Sequence, residues 1–358
     1  MAAIERYYRE VAEGKRRGVP ELLLLVLLYP FSLFYGLILR LRAYGYATGM
    51  MRSFRLPVPV ISVGNLTVGG TGKTPTVAML ARRLIDRGMR VVVLSRGYGG
   101  SSVATACVVS DGTRLLLSAE EAGDEPYLLA SSIPGLIVVI GADRHQAGLF
   151  AIERFAPDVV LLDDGFQHLR LKRDLDILLL DCRHPFGNGL SLPAGLLREP
   201  RSAASRCDLV IHTRCSQNEA IHPIAGKPSC RASHRLIGAA PLDGGAVVPF
   251  SSLRGKRGVA FAGIADPEAF FSGLREEGLS IAATLPLSDH CRYGEGEVEA
   301  ICRLREDAGA DFLITTAKDG TKLVPRLERL GTVYVALLEL VLLDPEPLDA
   351  ALEKLLQK

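Results

Sequence analysis

The residues most able to do chemistry lie between Thr67 and Asp164. Thr67-Val68-Gly69-Gly70-Thr71-Gly72-Lys73-Thr74 is a glycine-rich loop ending in Gly-Lys-Thr, the pattern that wraps nucleotide phosphates. Its glycines let backbone N–H groups approach phosphate oxygens, and a helix beginning there adds partial positive charge. Lys73 is placed to reach the β- and γ-phosphates, and the Thr74 hydroxyl to bind Mg²⁺. One departure stands out: the usual motif has Gly five residues before Gly72, and here that position is Thr67. The second signal is Asp158–Asp164, DVVLLDD, an apolar run ending in adjacent carboxylates. Asp163 and Asp164 at such a strand tip suit a Mg²⁺ site, directly or through water.

Two further groups are weaker. Asp124 sits among Glu120, Glu121 and Glu125 ahead of a helical pattern, where carboxylates also simply complement the helix dipole. His290 follows Asp289. A His beside a carboxylate can accept a proton near neutral pH, although most such dipeptides are surface turns. Arg96, in Ser95-Arg96-Gly97-Tyr98-Gly99-Gly100, could grip phosphate or sit in a solvated turn. The glycine- and proline-rich loop from Phe186 to Pro200 carries Arg198 and Glu199, and long loops of this kind are usually functional or disordered.

Elements that would position these groups can be read from periodicity. Val58–Val63 reads as a buried strand before the phosphate loop, and a helix follows from Pro75 to Arg87. Further strands are expected at Arg90–Leu94, Ala104–Val109 (near an edge), Leu136–Ile140, Asp158–Asp164, Asp176–Asp181 and Leu209–His212. A second alternating pattern starts at Arg257 and ends in a helix from Pro345 to Gln357. Residues 214–235 show little periodicity and read as loop and short strands between two lobes. Strands alternating with helices predict an α/β fold with parallel sheets covered on both faces. The division is an anchor with basic flanks over 1–50, a phosphate-loop lobe over 51–206, a linker and start of the second lobe over 207–256, and a second α/β lobe over 257–358.

Leu22–Leu39 contains no charged residue and is near the lower length limit for a membrane-crossing helix. Lys15, Arg16 and Arg17 precede it, and Arg40 and Arg42 follow. Insertion as an anchor, lying on the surface and burial in a core all remain open; Pro30 would kink the helix. The nucleotide site must face ATP, which places the lobes in the cytosol. A net charge of +2 gives no case for nucleic acid. Seven scattered cysteines without a C-x-x-C pair argue against a disulfide framework or zinc knuckle and suit a reducing compartment.

Taken in order, GNLTVGGTGKTP, SRGYGG, GDEPYLLA, VVLLDDGFQH, LPAGLLREP, AFAGIADPEAFF, Asp289-His290-x-Arg292-Tyr293 and Thr315-Thr316-x-Lys318-Asp319 resemble the tetraacyldisaccharide 4′-kinase family of lipid A biosynthesis in Gram-negative bacteria. The resemblance runs from the apolar segment to about residue 325 and implies two α/β/α lobes on an N-terminal hydrophobic helix, the first lobe a P-loop NTPase-like parallel sheet, with the site in the cleft. The implied reaction is MgATP-dependent phosphorylation of the 4′-hydroxyl of an acylated glucosamine disaccharide 1-phosphate, giving lipid IVA at the cytoplasmic face of the inner membrane. By position, Thr67–Thr74 matches the family's phosphate loop, Thr67 included. Asp163 and Asp164 match its metal carboxylates, and Arg198 and Glu199 the block near the ATP phosphates and metal. Asp124 and His290 match a pair implied to deprotonate the sugar hydroxyl, either member being able to take the proton. Cys291 and Ala317 depart from the family's His and Glu, which leaves second-lobe contacts with the acceptor open.

Two rival functions remain at this stage. A membrane-associated GTPase or ParA-like ATPase lacks support, because Ala317 occupies the lysine position of a guanine-selecting motif and Val68 the place of the ParA-type lysine. A non-catalytic membrane scaffold would have little reason to keep Lys73, Thr74 and the paired carboxylates.

Overall fold

The computed structural model describes residues 7–8, 10–16, 18–97, 100, 105–217, 219–289 and 291–357. Its first long element, α1 (Val19–Ala47), is a 29-residue helix with Pro30 inside it. At 1.5 Å per residue it is about 43 Å long, ample for a bilayer core. Leu22, Leu23, Val26, Leu27, Phe31 and Phe34 along it are all exposed, so the core-helix alternative is set aside. Only Ser32 and Gly36, on one face, and Gly45, against Met51, are buried among its described residues.

Beyond α1 the strands are β1 (Val60–Asn65), β2 (Val91–Ser95), β3 (Cys107–Asp111), β4 (Ile137–Ile140), β5 (Val159–Asp163), β6 (Leu175–Asp181), β7 (Leu209–Thr213), β8 (Ser229–Pro241), β9 (Arg257–Ala262), β10 (Ser280–Pro286), β11 (Phe312–Thr316) and β12 (Val333–Leu342). The helices are α2 (Lys73–Ile85), α3 (Ala119–Ala122), α4 (Asp124–Ser132), α5 (Arg144–Phe155), α6 (Pro267–Glu276), α7 (Glu295–Asp307), α8 (Ala317–Leu323), α9 (Leu327–Leu330) and α10 (Glu346–Leu356).

The strands form one twelve-stranded sheet in the order β10-β9-β11-β12-β8-β7-β6-β1-β5-β2-β4-β3. β1, β2, β4, β5, β6 and β7 are buried along their whole lengths, which is why they read as continuous apolar runs. Two clusters pack the two faces of this part. Val77, Leu80, Ala81 and Leu84 of α2 meet Ile61 and Val63 on one face, and Ala147 and Ala151 of α5 meet Val60, Val92 and Val160 on the other.

Three features differ from the sequence expectation. The stretch read as loop and short strands contains β8, a 13-residue strand with alternating burial in its first half. Its polar sequence hid it: Arg231, Ser233 and Arg235 alternate with less polar positions on a half-exposed ribbon. β8 pairs parallel with β7 and antiparallel with β12, so the two lobes share a continuous sheet. β3 is also antiparallel, at the edge where it was expected. Finally, Cys182 and Cys215 form a disulfide with Cα atoms 5.3 Å apart. β6 pairs with β7 so that Asp181 faces Thr213, which brings the residues just past both strand ends together across 33 residues of sequence.

Candidate active site

β1 delivers the chain to the phosphate loop, and α2 takes it away at Lys73 from Gly72, whose φ of 82° is left-handed. Gly69 has a φ of 124°, so both glycines adopt backbone that a side chain would strain. The loop carbonyls point into the protein and are held there. Thr213 Oγ1 donates to Thr71 O at 3.0 Å, and Arg214 Nη2 donates to Gly70 O at 2.7 Å. Val68 N donates to Leu196 O at 2.8 Å, and Thr67 bridges Leu197. With its carbonyls tied back, a loop of this kind keeps its N–H groups for an anion. Asn65 fixes the loop entrance: its Nδ2 donates to Thr67 O at 2.9 Å, while its Oδ1 accepts from Lys73 Nζ at 3.3 Å.

The structure brings Lys73, Asp163, Asp164 and Arg198 together. β1 and β5 are neighbours, Val63 facing Asp163, so the carboxylates emerge beside the loop. Asp164 turns away from the strand in left-handed conformation, φ 53°. Arg198 Nη1 donates to Asp164 Oδ2 at 2.7 Å, and Lys73 Nζ lies 3.7 Å from Asp164 Oδ1. Burial pushes the Asp164 carboxyl up, but Lys73 and Arg198 more than offset it, and the net direction is down. Asp163 behaves oppositely. Burial first, then the charges of Glu125 and Asp164, raise it to about 7.

Both aspartates keep one buried oxygen, Oδ1, without a hydrogen-bond partner. Orphaned acceptors at a strand tip beside a phosphate loop suit a hard divalent cation such as Mg²⁺. Among the described residues no group of three or more His, Cys, Asp and Glu is spaced to cage a metal. That matches Mg²⁺, which takes one or two carboxylates and completes its shell with phosphate and water. Thr74, one residue into α2, is half-buried at the same end of the site.

The other expected residues are placed differently. Glu199 is 2% exposed and accepts two hydrogen bonds from Arg206, at 2.7 and 2.9 Å, so the structure pairs it with Arg206 rather than with the aspartates. Asp124 opens α4 and pairs with Lys322 Nζ of α8 at 2.7 Å, which puts it at the junction of the lobes. His290 lies outside the described residues, as do Tyr98 and Gly99 of the SRGYGG stretch.

Several site residues carried no assignment from sequence. Arg144, 5% exposed, donates to Gly141 O at 2.9 Å and senses the charges of Asp163 and Asp164; burial brings it down to about 10. Ser95 Oγ donates to Asp163 Oδ2 at 3.4 Å, and Gln167 Nε2 to Asn65 O at 2.8 Å. Asp143-Arg144 follows a predicted strand, a position that marks ligand sites in open sheets and could have flagged Arg144. Nothing local marks Arg214 or Lys322.

Comparison with known proteins bears on this arrangement. A family model described as tetraacyldisaccharide-1-P 4′-kinase matches residues 24–357. A protein of Geobacter metallireducens named tetraacyldisaccharide 4′-kinase is 60% identical over 334 residues, covering 93% of this chain and 99% of the relative. One of the same name from Geobacter sulfurreducens is 58% identical over 352 residues, covering 98% and 99%. A crystal structure described as the "apo" form of LpxK from Aquifex aeolicus in complex with ATP superposes with a TM-score of 0.78 at 36% identity, covering 93% of this chain and 99% of that one.

Proposed function

The chain belongs to the tetraacyldisaccharide-1-P 4′-kinase family, and from that premise we infer that it is an enzyme that uses ATP and Mg²⁺ to phosphorylate the 4′-hydroxyl of tetraacyldisaccharide 1-phosphate in lipid A biosynthesis. The observation in the fold that carries this reading is the convergence of Lys73 and Arg198 on Asp164, beside buried Asp163, at the mouth of a tied-back phosphate loop.

The residues divide the work as follows. Backbone N–H groups of Thr67–Thr74 hold the phosphate chain, and Lys73 and Arg198 neutralise charge that builds on the transferred group. Thr74, Asp163 and Asp164 would hold Mg²⁺, which supplies further charge neutralisation and in-line alignment. Glu199 acts one step back, holding Arg206 beneath the loop that carries Arg198. A sugar hydroxyl is a weak acid, so a base must take its proton as the new P–O bond forms. Asp124 is that base or the carboxylate that orients it, with His290 as its partner.

We further propose that α1 inserts in the inner membrane with both lobes on the cytoplasmic face, where ATP is available and the acylated acceptor is reached from the lipid surface. The length and exposed apolar faces of α1 support this, and the lobes meet at β8.

The test is mass spectrometry of tetraacyldisaccharide 1-phosphate incubated with the full chain and MgATP. One added phosphate, lost when EDTA removes Mg²⁺, is the expected result. Nucleotide hydrolysis that ignores the lipid, or that prefers GTP, would overturn the assignment.

A further inference from the structure

Lys322 spans the two lobes at the point where the acceptor chemistry is assigned. It lies on α8, and its Nζ is 2.7 Å from Asp124 Oδ2 on α4. The same ammonium donates to Cys291 O at 3.0 Å. The side chains are 12% and 16% exposed, so the pair is largely shielded from water. One turn earlier on α8, Lys318 pairs with Asp289 at 3.0 Å. Residues four apart on a helix share a face, so α8 presents two lysines side by side to the 289–291 segment.

We propose that Lys322 is a positioning residue for phosphoryl transfer: its ion pair fixes the Asp124 carboxylate across the lobe junction, aimed for the acceptor hydroxyl. The inference rests on the reading that Asp124 acts on that hydroxyl. The physical case has three parts. Asp124 is the first residue of its helix, after Gly123, whose φ of 89° is left-handed. A partner reaches its carboxylate from the other lobe, Lys322, so α4 alone does not set its direction. Lys322 is itself located, because its second bond goes to a backbone carbonyl and not to another mobile side chain. Finally, the attraction in a shielded ion pair is largely offset by the cost of desolvating its two charges, so the pair adds little net stability, whereas a misaimed catalytic group is costly.

The experiment uses the full chain in detergent with tetraacyldisaccharide 1-phosphate and MgATP. Lys322→Met is expected to lower kcat by roughly 10- to 100-fold while KM for MgATP moves by no more than about twofold. Lys322→Arg, which restores a cation, is expected to recover most of the loss. Because the lysine acts through Asp124, the Asp124→Asn/Lys322→Met double variant should be no slower than Asp124→Asn alone. Thermal melting checks that each variant folds, and Lys322→Gln replaces Lys322→Met if that variant does not. Wild-type kcat in the folded methionine or glutamine variant overturns the proposal. So does a double variant whose loss is the product of the two single losses, the signature of a merely structural role. Wild-type turnover in Asp124→Asn is a different result: it removes the assignment of Asp124 itself.

Discussion

Gly64→Ala tests whether the positions of Asp163 and Asp164 depend on the close approach of two strand ends. Gly64 is in β1, and a Cβ there would lie 2.7 Å from Phe166 Cβ and 2.8 Å from Phe166 N. Ordinary contact begins near 3.4 Å, so β1 and the turn after β5 would have to part by about 0.7 Å. Phe166 cannot yield cheaply. It is fully buried among Leu66, Leu178, Leu180, Phe186 and Leu197, with the Arg206 guanidinium 4.8 Å from its ring centre. The turn would move instead, and it carries Asp163 and Asp164. Overpacking of this kind costs roughly 1–3 kcal/mol of stability. A shift of that size at the aspartates disturbs the 2.7 Å Arg198 contact and the 3.7 Å Lys73 contact together. The expected loss in kcat is roughly 10- to 100-fold in protein that still melts as a folded species. Initial rates of phosphate transfer to the lipid, with a melting curve for each protein, give both quantities. Gly296→Ala is the control: no atom lies within 4 Å of its Cβ position on α7, and the change should be neutral or stabilising by up to about 1 kcal/mol. Gly64→Ala with wild-type kcat would refute the claim that this strand contact sets the carboxylates.

Two further outcomes follow from neighbouring geometry. Arg214→Met removes the 2.7 Å bond to Gly70 O and the 2.9 Å pair with Asp181 while leaving a side chain at a left-handed position, φ 58°. A charge-assisted bond is worth about 1.5–3 kcal/mol, so KM for MgATP should rise about tenfold or more with kcat less affected; an unchanged KM would show that the loop holds itself. His212, fully buried with neither ring nitrogen bonded, is held down to about 4 by burial and then by the nearby His222. The unfolded chain takes up a proton below about pH 6.5 and the folded chain does not until about 4, so stability is complete above 6.5 and falls as pH drops between those values. By pH 5 the loss from this one group is at most roughly 2 kcal/mol, and the urea midpoint of His212→Leu should fall less between pH 7.5 and 5 than that of the wild type. Equal falls would place the acid sensitivity elsewhere.

What could be read in advance depended on whether the cause was local. The phosphate loop and the Asp163-Asp164 tip were legible because strand, turn and helix must follow one another in sequence to make them. The observed α2 starts at Lys73, two residues before the expected Pro75, since Gly72 supplies the turn. β1, β2 and β4–β7 were legible because burial along their whole lengths leaves mostly apolar residues. β8 was not, because a half-exposed ribbon between lobes carries Arg231, His234 and Arg235 without breaking. The resemblance placed Glu199 near the metal together with Arg198, but successive residues of an extended segment face opposite ways. Arg198 reaches Asp164, whereas Glu199 turns inward to Arg206. Arg214, Lys322 and the Cys182–Cys215 bridge act through pairings 33 to about 200 residues apart, which no window on the sequence contains.

On the proposed function, the same long-range ties would let one cleft serve a soluble donor and a membrane-held acceptor. The nucleotide side is fixed from below: Thr213, the last residue of β7, and Arg214, just past it, hold two loop carbonyls. The acceptor side is fixed across the lobes, through Asp124 and Lys322. The third tie comes from α1, whose buried face is polar or small where it meets the loop bearing Arg198. Ala194 N donates to Ser32 Oγ at 2.8 Å, Tyr35 OH donates to Arg198 O at 3.3 Å, and Gly36 lies against Pro200. A helix whose only role was to hold the protein on a surface would need no hydrogen bonds to the loop that carries Arg198. Because Arg198 is carried by the segment that α1 grips and also reaches Asp164, the positions of α1 and of this arginine are set together. On the proposed function, α1 would thereby set where the phosphoryl group is handed to an acceptor that its acyl chains hold at the bilayer.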